Sequence, residues 1–279
     1  MNKNRKDATY IKETDPIHAI MPYLMEKRTE AEVSQTITFD VTKLKSWVEE
    51  KNKKLDYKFT YFHAFASIFS KLVYNRPLLN RFIQGHRTYE RNNVTISFVA
   101  KDKFSDDAKE KIIVLEINKN ENALELGHRM AIDVFKTRKN GTNNMDSSLK
   151  ILTKLPRWVL RIVAKILKWL DYHGKVPISF TEGDCNYSTI LLSNLGSIKS
   201  DSCYHHLNNY GTNSIVITIG TIKKEGNKDI VDITATLDER IADGFYFAKT
   251  LKLAQHIMLH PELLEEKLSS IVDYEEKEK

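Results

Sequence analysis

The spacing of apolar residues predicts alternating helices and strands along most of the chain. The densest helical spacing covers residues 61–74, with Thr60 as the predicted N-cap and Pro77 just beyond the end. Gly226-Asn227 predicts a hairpin turn between two strands. Further helices are predicted from about residue 43, over 122–136 and over 244–260, and strands over 36–41, 88–90, 94–100, 112–117, 188–192, 214–220 and 230–237. The mixture predicts an α/β protein.

Residues 155–170 form a predicted helix of a different kind, with basic residues gathered on one face of an otherwise apolar segment. The basic residues are Arg157, Arg161, Lys165 and Lys168. Trp158 and Trp169 lie among the apolar ones. Three interpretations remain open for this inserted helix: a lid over a substrate channel, a packing helix with a solvated basic face, or a peripheral contact with an anionic membrane surface.

The length and composition fit one globular domain with a large core. The chain has 279 residues, of which 41% are hydrophobic and 29% are charged. We expect a flexible N-terminus over residues 1–14, a single domain over residues 15–270 and a flexible charged tail over residues 271–279. A stretch rich in Gly, Asn and Ser predicts a loop over residues 138–150.

Charge and cysteine content narrow the choice of partners. The net charge of +6 is mild, and no basic block is interleaved with aromatic residues, so we expect no nucleic-acid partner. Cys185 and Cys203 lack the spacing of zinc or redox motifs, so we expect no metal. No apolar secretion segment follows the first residues, and no run approaches the ~20 apolar residues of a spanning helix. These features predict a cytoplasmic protein.

Four motifs, the first of them in two parts, carry the candidate chemistry. Residues 238–244 read D-E-R-I-A-D-G at the end of a predicted strand, and residues 260–264, after the next helix, read H-P-E-L-L. Residues 193–196 read S-N-L-G, and residues 213–220 read N-S-I-V-I-T-I-G. Residues 75–82 read N-R-P-L-L-N-R-F at the exit of the helix predicted over 61–74.

Taken in their order along the chain, the motifs resemble those of the catalytic domain of 2-oxoacid dehydrogenase acyltransferases and of its relative, chloramphenicol acetyltransferase. The resemblance covers most of residues 15–270. It implies an α/β two-layer fold of the chloramphenicol acetyltransferase type, with a mixed sheet, helices on one side, and homotrimers with sites between subunits. The sequence contains neither the lipoyl domain nor the Pro/Ala-rich linker of the dehydrogenase complexes, so we expect a free-standing relative.

The resemblance also implies a mechanism. In the family a histidine takes the proton of a thiol or hydroxyl that attacks an acyl thioester, and the serine of S-N-L-G stabilises the oxyanion. Ser193 matches that serine, and Asp243 matches an aspartate that fixes the turn by pairing with an arginine, for which Arg28 is a candidate. Glu239 stands where the histidine is expected. A coenzyme A thioester and a small acyl acceptor are the implied substrates.

Glutamate at the base position leaves two interpretations of the protein open. As a base it needs a dry pocket, because an ordinary glutamate carboxyl has a pKa of ~4.3, about four below that of a thiol. Alternatively, the protein is an inactive trimeric scaffold of the same fold. His205 and His206 offer a replacement imidazole, with a structural role as the competing interpretation. We expect them to point to opposite faces of a strand, which does not favour a metal site.

Overall fold

Two β-sheets and a layer of helices organise the chain. The computed structural model describes residues 5–12, 15–101, 110–140 and 154–274. The strands in these ranges are β1 (Ala8–Ile11), β2 (Glu32–Asp40), β3 (Arg81–Gln84), β4 (Arg87–Arg91), β5 (Thr95–Lys101), β6 (Glu110–Glu116), β7 (Ile190–Asn194), β8 (Ile215–Ile219), β9 (Lys223–Glu225) and β10 (Lys228–Asp238). The α-helices are α1 (Pro16–Leu24), α2 (Thr42–Lys51), α3 (Tyr61–Asn75), α4 (Ala123–Asn140), α5 (Arg157–Tyr172), α6 (Ile178–Thr181) and α7 (Gly244–Leu259).

The main sheet has the strand order β2-β10-β8-β7-β5-β6, with the short β9 paired to β10. The β5–β7 and β7–β8 pairs are parallel, and the other pairs are antiparallel. The sheet is therefore mixed, as the motifs imply. The predicted hairpin is confirmed between β9 and β10, where Gly226 adopts a φ of 57° that suits a residue without a Cβ.

Helices α3 and α7 pack on the main sheet and form the core with it. α3 begins where the Thr60 hydroxyl oxygen accepts the His63 N–H, as predicted from the sequence, and ends at Asn75. Every residue from 63 to 73 is buried, because the helix lies against both α4 and α7 as well as against β5. One hydrophobic cluster extends from Phe39 to Val272.

The N-terminal segment forms a strand, which differs from the flexible N-terminus predicted over residues 1–14. β1 pairs with β4 in a separate three-stranded sheet of order β1-β4-β3. Ala8 is buried there against Phe82 and Tyr89. The strand has only four residues and no clear alternation, so its pairing partner rather than its own sequence determines it.

The C-terminal segment is also packed further than the sequence predicts. Val272 is buried, and its N–H donates to the side-chain oxygen of Asn75 over 2.8 Å. The end of the predicted tail, residues 275–279, lies outside the described residues. α4 continues to Asn140, so the predicted loop over 138–150 begins as helix, and its remainder also lies outside them.

The amphipathic segment predicted over residues 155–170 forms α5, in which only Asp171 is buried. The Asp171 carboxylate accepts the Tyr187 hydroxyl over 2.8 Å and the Gly211 N–H over 3.0 Å. Its carbonyl oxygen accepts the Gln84 side-chain amide over 2.6 Å. A buried carboxylate thus fastens the C-terminal end of α5. Within the described ranges, no helix combines the length and the apolar content needed to cross a membrane.

His63 makes the stability of this fold depend on pH. Its Nδ1 accepts the Thr60 N–H over 3.3 Å, and its ring packs edge-on against Phe59. Burial lowers the pKa of His63 to about 4. An unfolded chain keeps a histidine pKa of ~6.5, so between these values the unfolded state binds a proton and the folded state does not. The free energy of unfolding therefore falls as pH drops through this window.

We expect a loss of about 1.5 kcal/mol between about pH 6.5 and about pH 5, because the slope rises to ~1.4 kcal/mol per pH unit only below the unfolded pKa. Urea unfolding at the two pH values measures it. His63→Gln removes this part of the pH dependence, whereas His206→Gln, a change at an exposed histidine, retains it. Equal pH dependence of stability in the wild type and in His63→Gln would contradict the assignment of this effect to His63.

Candidate functional site

A buried ion pair fixes the turn that follows β10. The Asp238 carboxylate accepts two hydrogen bonds from the Arg240 guanidinium, one from Nε over 2.8 Å and one from Nη2 over 2.7 Å. Arg240 also donates from Nη1 to the Met25 carbonyl oxygen over 2.7 Å. Both charged residues are buried. Two-point bonds between charged groups are strong and directional, so the turn is held in one geometry.

Glu239, at the expected base position, lies between these two residues in sequence. Its N–H donates to the Ala31 carbonyl oxygen over 2.9 Å, which ties it to the start of β2. The residue is half-buried. One copy of the chain therefore does not complete the dry pocket that a carboxylate base requires.

Asp243 caps helix α7. Its Oδ1 accepts the Tyr246 N–H over 2.7 Å, the usual geometry of an N-cap. Arg28 is buried elsewhere, where its Nη2 donates to the Ile83 carbonyl oxygen over 2.9 Å and to Gln84 Oε1 over 3.2 Å. The expected ion pair between Asp243 and Arg28 is not formed, and Asp243 holds the start of α7 by capping it.

Ser193 belongs to a row of hydroxyl-bearing residues that crosses the main sheet. Ser193 on β7 pairs with Thr218 on β8. Thr218 pairs in turn with Thr234 on β10, and Thr234 with Thr36 on β2. The Thr36 and Thr234 hydroxyl oxygens are 2.8 Å apart. Directly paired residues point to the same face of a sheet, so this face is polar across four strands.

Residues 200–207 lie over this polar face and are held by its hydroxyl groups. Thr218 Oγ1 donates to the Cys203 carbonyl oxygen over 2.6 Å and accepts the Cys203 N–H over 3.2 Å. Thr234 Oγ1 donates to Ser202 Oγ over 2.9 Å. Side-chain hydrogen bonds thus hold the segment beside the row that contains Ser193, although the segment does not form a strand.

His205 and His206 lie further along this segment, toward the end of β10. The next residue, Leu207, is buried, and its N–H donates to a Glu32 carboxylate oxygen over 2.8 Å. Glu32 pairs with Asp238. Both histidines are exposed, and their rings stack with centroids 5.2 Å apart. The expectation that they occupy opposite faces of a strand is wrong, because side-chain bonds rather than a strand ladder hold this segment.

Among the described residues, no three His, Cys, Asp or Glu side chains come together as a metal site.

Ser193 and Glu239 are far apart within one copy of the chain. Thr234 shares the row of Ser193, and Glu239 follows Thr234 by five residues. With ~3.4 Å per residue along a strand and ~4.8 Å between strands, the two residues are separated by about 17 Å along the sheet and about 10 Å across it. Hydrogen bonds span about 3 Å. A site that uses both residues therefore needs a second copy of the chain.

The sequence does not single out Asp171, a buried residue near this turn, because it belongs to no motif with a recognisable spacing. It singles out Arg28 only as a partner for Asp243, whereas the observed hydrogen bonds of Arg28 are with β3. The ion pair does have a signal in the sequence, because Asp238 and Arg240 carry opposite charges only two residues apart.

Comparison with known proteins identifies the fold. No protein-family model and no curated protein matches the sequence. A probable dihydrolipoamide acetyltransferase from Listeria monocytogenes is 16% identical, with a TM-score of 0.58 over 89% of this chain and 95% of that one. The dihydrolipoamide acetyltransferase of Azotobacter vinelandii is 14% identical, with a TM-score of 0.59 over 92% and 94%. A chloramphenicol acetyltransferase is 11% identical, with a TM-score of 0.59 over 90% and 99%.

The chain has the chloramphenicol acetyltransferase-like fold. This confirms the architecture that the four motifs implied, with its mixed sheet and its covering helices. At 11–16% identity the likeness concerns the fold alone. The roles of Ser193, His205, His206, Glu239 and Asp243 in a reaction stay predictions.

Loss of Arg240 leaves the Asp238 carboxylate buried without its partner. We expect Arg240→Ala to lower the free energy of unfolding by about 3–5 kcal/mol, a typical cost of breaking a buried pair. Urea unfolding at one fixed protein concentration measures the loss. The surface pair of Lys27 and Glu30, 2.8 Å apart, is the control, and Lys27→Ala should leave stability nearly unchanged. Adding Asp238→Asn to Arg240→Ala should restore part of the loss, and a double variant no more stable than the single one would contradict this account.

Proposed function

We propose that the protein is a homotrimeric acyltransferase that transfers an acyl group from a coenzyme A thioester to a small acceptor. The separation of Ser193 from Glu239 in one chain carries the proposal, because both occupy motif positions and meet only if two copies associate. In a closed ring of three copies, each interface joins Ser193 of one copy to Glu239 of the next. The ring then contains three equivalent sites.

The proteins of similar fold support the reaction class. Two are dihydrolipoamide acetyltransferases, one of them described as probable, and one is a chloramphenicol acetyltransferase. In the Azotobacter vinelandii enzyme, a serine, a histidine and an asparagine are connected with the catalytic mechanism, and the last two are four residues apart. Glu239 and Asp243 have the same spacing in this chain. The net charge of +6 also favours the approach of an anionic substrate such as coenzyme A.

In the proposed reaction Glu239 takes the proton of the acceptor thiol or hydroxyl. The sulfur or oxygen attacks the carbonyl carbon of the thioester and forms a tetrahedral oxyanion, to which Ser193 of the neighbouring copy donates a hydrogen bond. The oxyanion collapses, the bond between carbon and the coenzyme A sulfur breaks, and the proton on Glu239 passes to the leaving thiolate. The products are the acylated acceptor and free coenzyme A.

A second copy also supplies the dry environment that the base requires. Glu239 is half-buried in one chain, and covering it removes the remaining water from its carboxylate. A desolvated carboxylate holds a proton more readily than a hydrated one. His205 and His206 are the alternative proton acceptors, because their segment runs from the level of Ser193 to the end of β10.

The activity test follows release of the coenzyme A thiol from acetyl-coenzyme A in the presence of thiol and hydroxyl acceptors. We expect Ser193→Ala to lower kcat by ~10²–10³-fold, through loss of the oxyanion donor. We expect Glu239→Gln to lower it by ~10²–10⁴-fold, through loss of the base. Ser197→Ala and Glu225→Gln, at exposed positions, are the matched controls and should leave kcat unchanged.

Mixing two inactive variants tests whether the sites lie between copies. Ser193→Ala and Glu239→Gln chains, unfolded and refolded together in equal amounts, should regain about a quarter of wild-type activity, because one interface in four then combines both native residues. No recovery would place each site within one chain and contradict the proposal. If His205→Ala or His206→Ala abolishes turnover and Glu239→Gln does not, the base assignment is wrong. A wild type that neither binds acetyl-coenzyme A nor releases thiol would be a scaffold.

We further propose that α5 makes a peripheral contact with an anionic membrane. Four large apolar side chains on this helix are about half exposed or more, at spacings of four, four and three residues that place them in one stripe. They are Trp158 (66%), Ile162 (49%), Ile166 (52%) and Trp169 (55%). The basic residues of the helix lie beside this stripe, and the one acidic residue of the helix, Asp171, is buried. Exposed tryptophans flanked by cations fit a headgroup boundary that carries negative charge.

Co-sedimentation with vesicles tests this contact. We expect binding to phosphatidylcholine vesicles that contain about 30% phosphatidylserine, but not to pure phosphatidylcholine, with weakening as salt rises. Trp158→Ser combined with Trp169→Ser should lower partitioning at least about 10-fold, because two large apolar groups no longer insert. Phe135→Ser, at a position on α4 that is 67% exposed, is the control. Equal binding by the tryptophan variant and the control would contradict the proposal.

A further inference from the structure

A cavity of about 420 Å³ opens beside the C-terminal end of α5. Its walls come from α1, the turn between β3 and β4, α5, residues 208–210 and the turn after β10. Arg240 lines it, whereas Ser193, His205, His206 and Glu239 do not. The cavity is therefore separate from the acyl-transfer site proposed above. The charged residues that line it are Glu26, Lys27, Arg28, Lys168, Asp171 and Arg240.

Arg28 is a buried cation at this cavity, and its bonds leave its charge poorly satisfied. It is 4% exposed, and the groups that accept its hydrogen bonds are neutral oxygens. Its Nη1 reaches the Asn208 and Asn209 carbonyl oxygens only at 3.5 Å, beyond the usual 2.7–3.2 Å of such bonds. Its Nε is buried and has no hydrogen-bond partner among the described residues.

The nearby carboxylates are engaged with other groups. Asp238 is bound at two points by Arg240. Asp171 accepts a tyrosine hydroxyl and a main-chain N–H. Burial lowers the pKa of Arg28 to about 10, so the guanidinium remains protonated at neutral pH. A buried cation without a directly paired anion is costly, which makes an anion in the cavity favourable.

We propose that this cavity binds a phosphate group, held by Arg28 within the fold and by Lys168 at the mouth. A phosphate has several oxygens that accept hydrogen bonds from different directions, which suits a guanidinium and an ammonium group on separate elements. The other two lining cations, Lys27 and Arg240, are paired with Glu30 and Asp238, so Arg28 and Lys168 are the cations left for an anion.

The phosphate has two potential sources. One is a free phosphate ester, and the other is the headgroup of a lipid. Lys168 links the cavity to the membrane contact proposed for α5, because it belongs to that helix and follows Ile166 by two residues, and the lipid source rests on that proposal. Both sources present the same phosphate group. Comparing the affinity of the cavity for a phosphate ester with and without attached acyl chains distinguishes them.

Calorimetric titration of the full chain with glycerol 3-phosphate, and separately with a short-chain phosphatidic acid below its micelle concentration, tests the proposal. Lys168→Gln changes an exposed residue at the mouth, so the fold is expected to remain intact. We expect it to weaken binding of either probe about 10-fold, through loss of one charge-assisted bond. Lys165→Gln, an exposed lysine of the same helix that does not line the cavity, is the matched control and should leave affinity unchanged.

The outcomes separate clearly. Similar affinity for both probes indicates a free phosphate ester, and much tighter binding of the phosphatidic acid indicates a lipid headgroup. Arg28→Lys, if folded by circular dichroism, should abolish binding because an ammonium cannot reproduce the guanidinium geometry. Absence of binding by the wild type, or equal weakening by Lys168→Gln and Lys165→Gln, would overturn the proposal. Neither result depends on acyl transfer.

Discussion

The paired charges of Asp238 and Arg240 fix the turn after β10 and tie it to the segment that follows α1. Asp238 ends β10, the strand that lies between β2 and β8 in the main sheet. Arg240 reaches across to the Met25 carbonyl oxygen, just after α1. Between them, the Glu239 N–H bonds to Ala31 at the start of β2. A buried ion pair adds little net stability, but it disfavours other arrangements of the turn. This turn carries Glu239, the residue at the expected base position.

Elements with dense local periodicity could be predicted from the sequence. α3 combines a capping threonine, a buried apolar face and a proline after its end, and its observed bounds agree with the prediction to within one residue. The strand predicted over residues 188–192 is shifted, and β7 includes Ser193 because that residue pairs with Thr218 on β8. β1 escaped prediction because four residues carry too little pattern, and its partner β4 lies some 80 residues away. Pairing with a strand that is distant in sequence determines whether and where such short strands form.

In the candidate site, too, local motifs identify residues, but contacts with distant segments determine their surroundings. A motif of contiguous residues identifies Glu239 and Asp243, but the capping role of Asp243 depends on the backbone of α7. The path of His205 and His206 depends on hydroxyl groups of two sheet strands, which no property of the Y-H-H-L stretch encodes. The hydrogen-bond partners of Arg28 could not be predicted for a related reason. Its surroundings come from β3 and from residues 208–209, which are remote from it in sequence.

The attachment of α5 through Asp171 has a mechanical consequence. The one buried residue of this helix is near its C-terminal end, and Trp158 is thirteen residues away near the other end. At ~1.5 Å per residue, the two positions are about 20 Å apart along the helix axis. A rigid tilt of the helix by about 20° about its Asp171 end would move Trp158 through about 7 Å. A small change of angle at this buried polar attachment would therefore be a much larger displacement of an aromatic side chain at the surface.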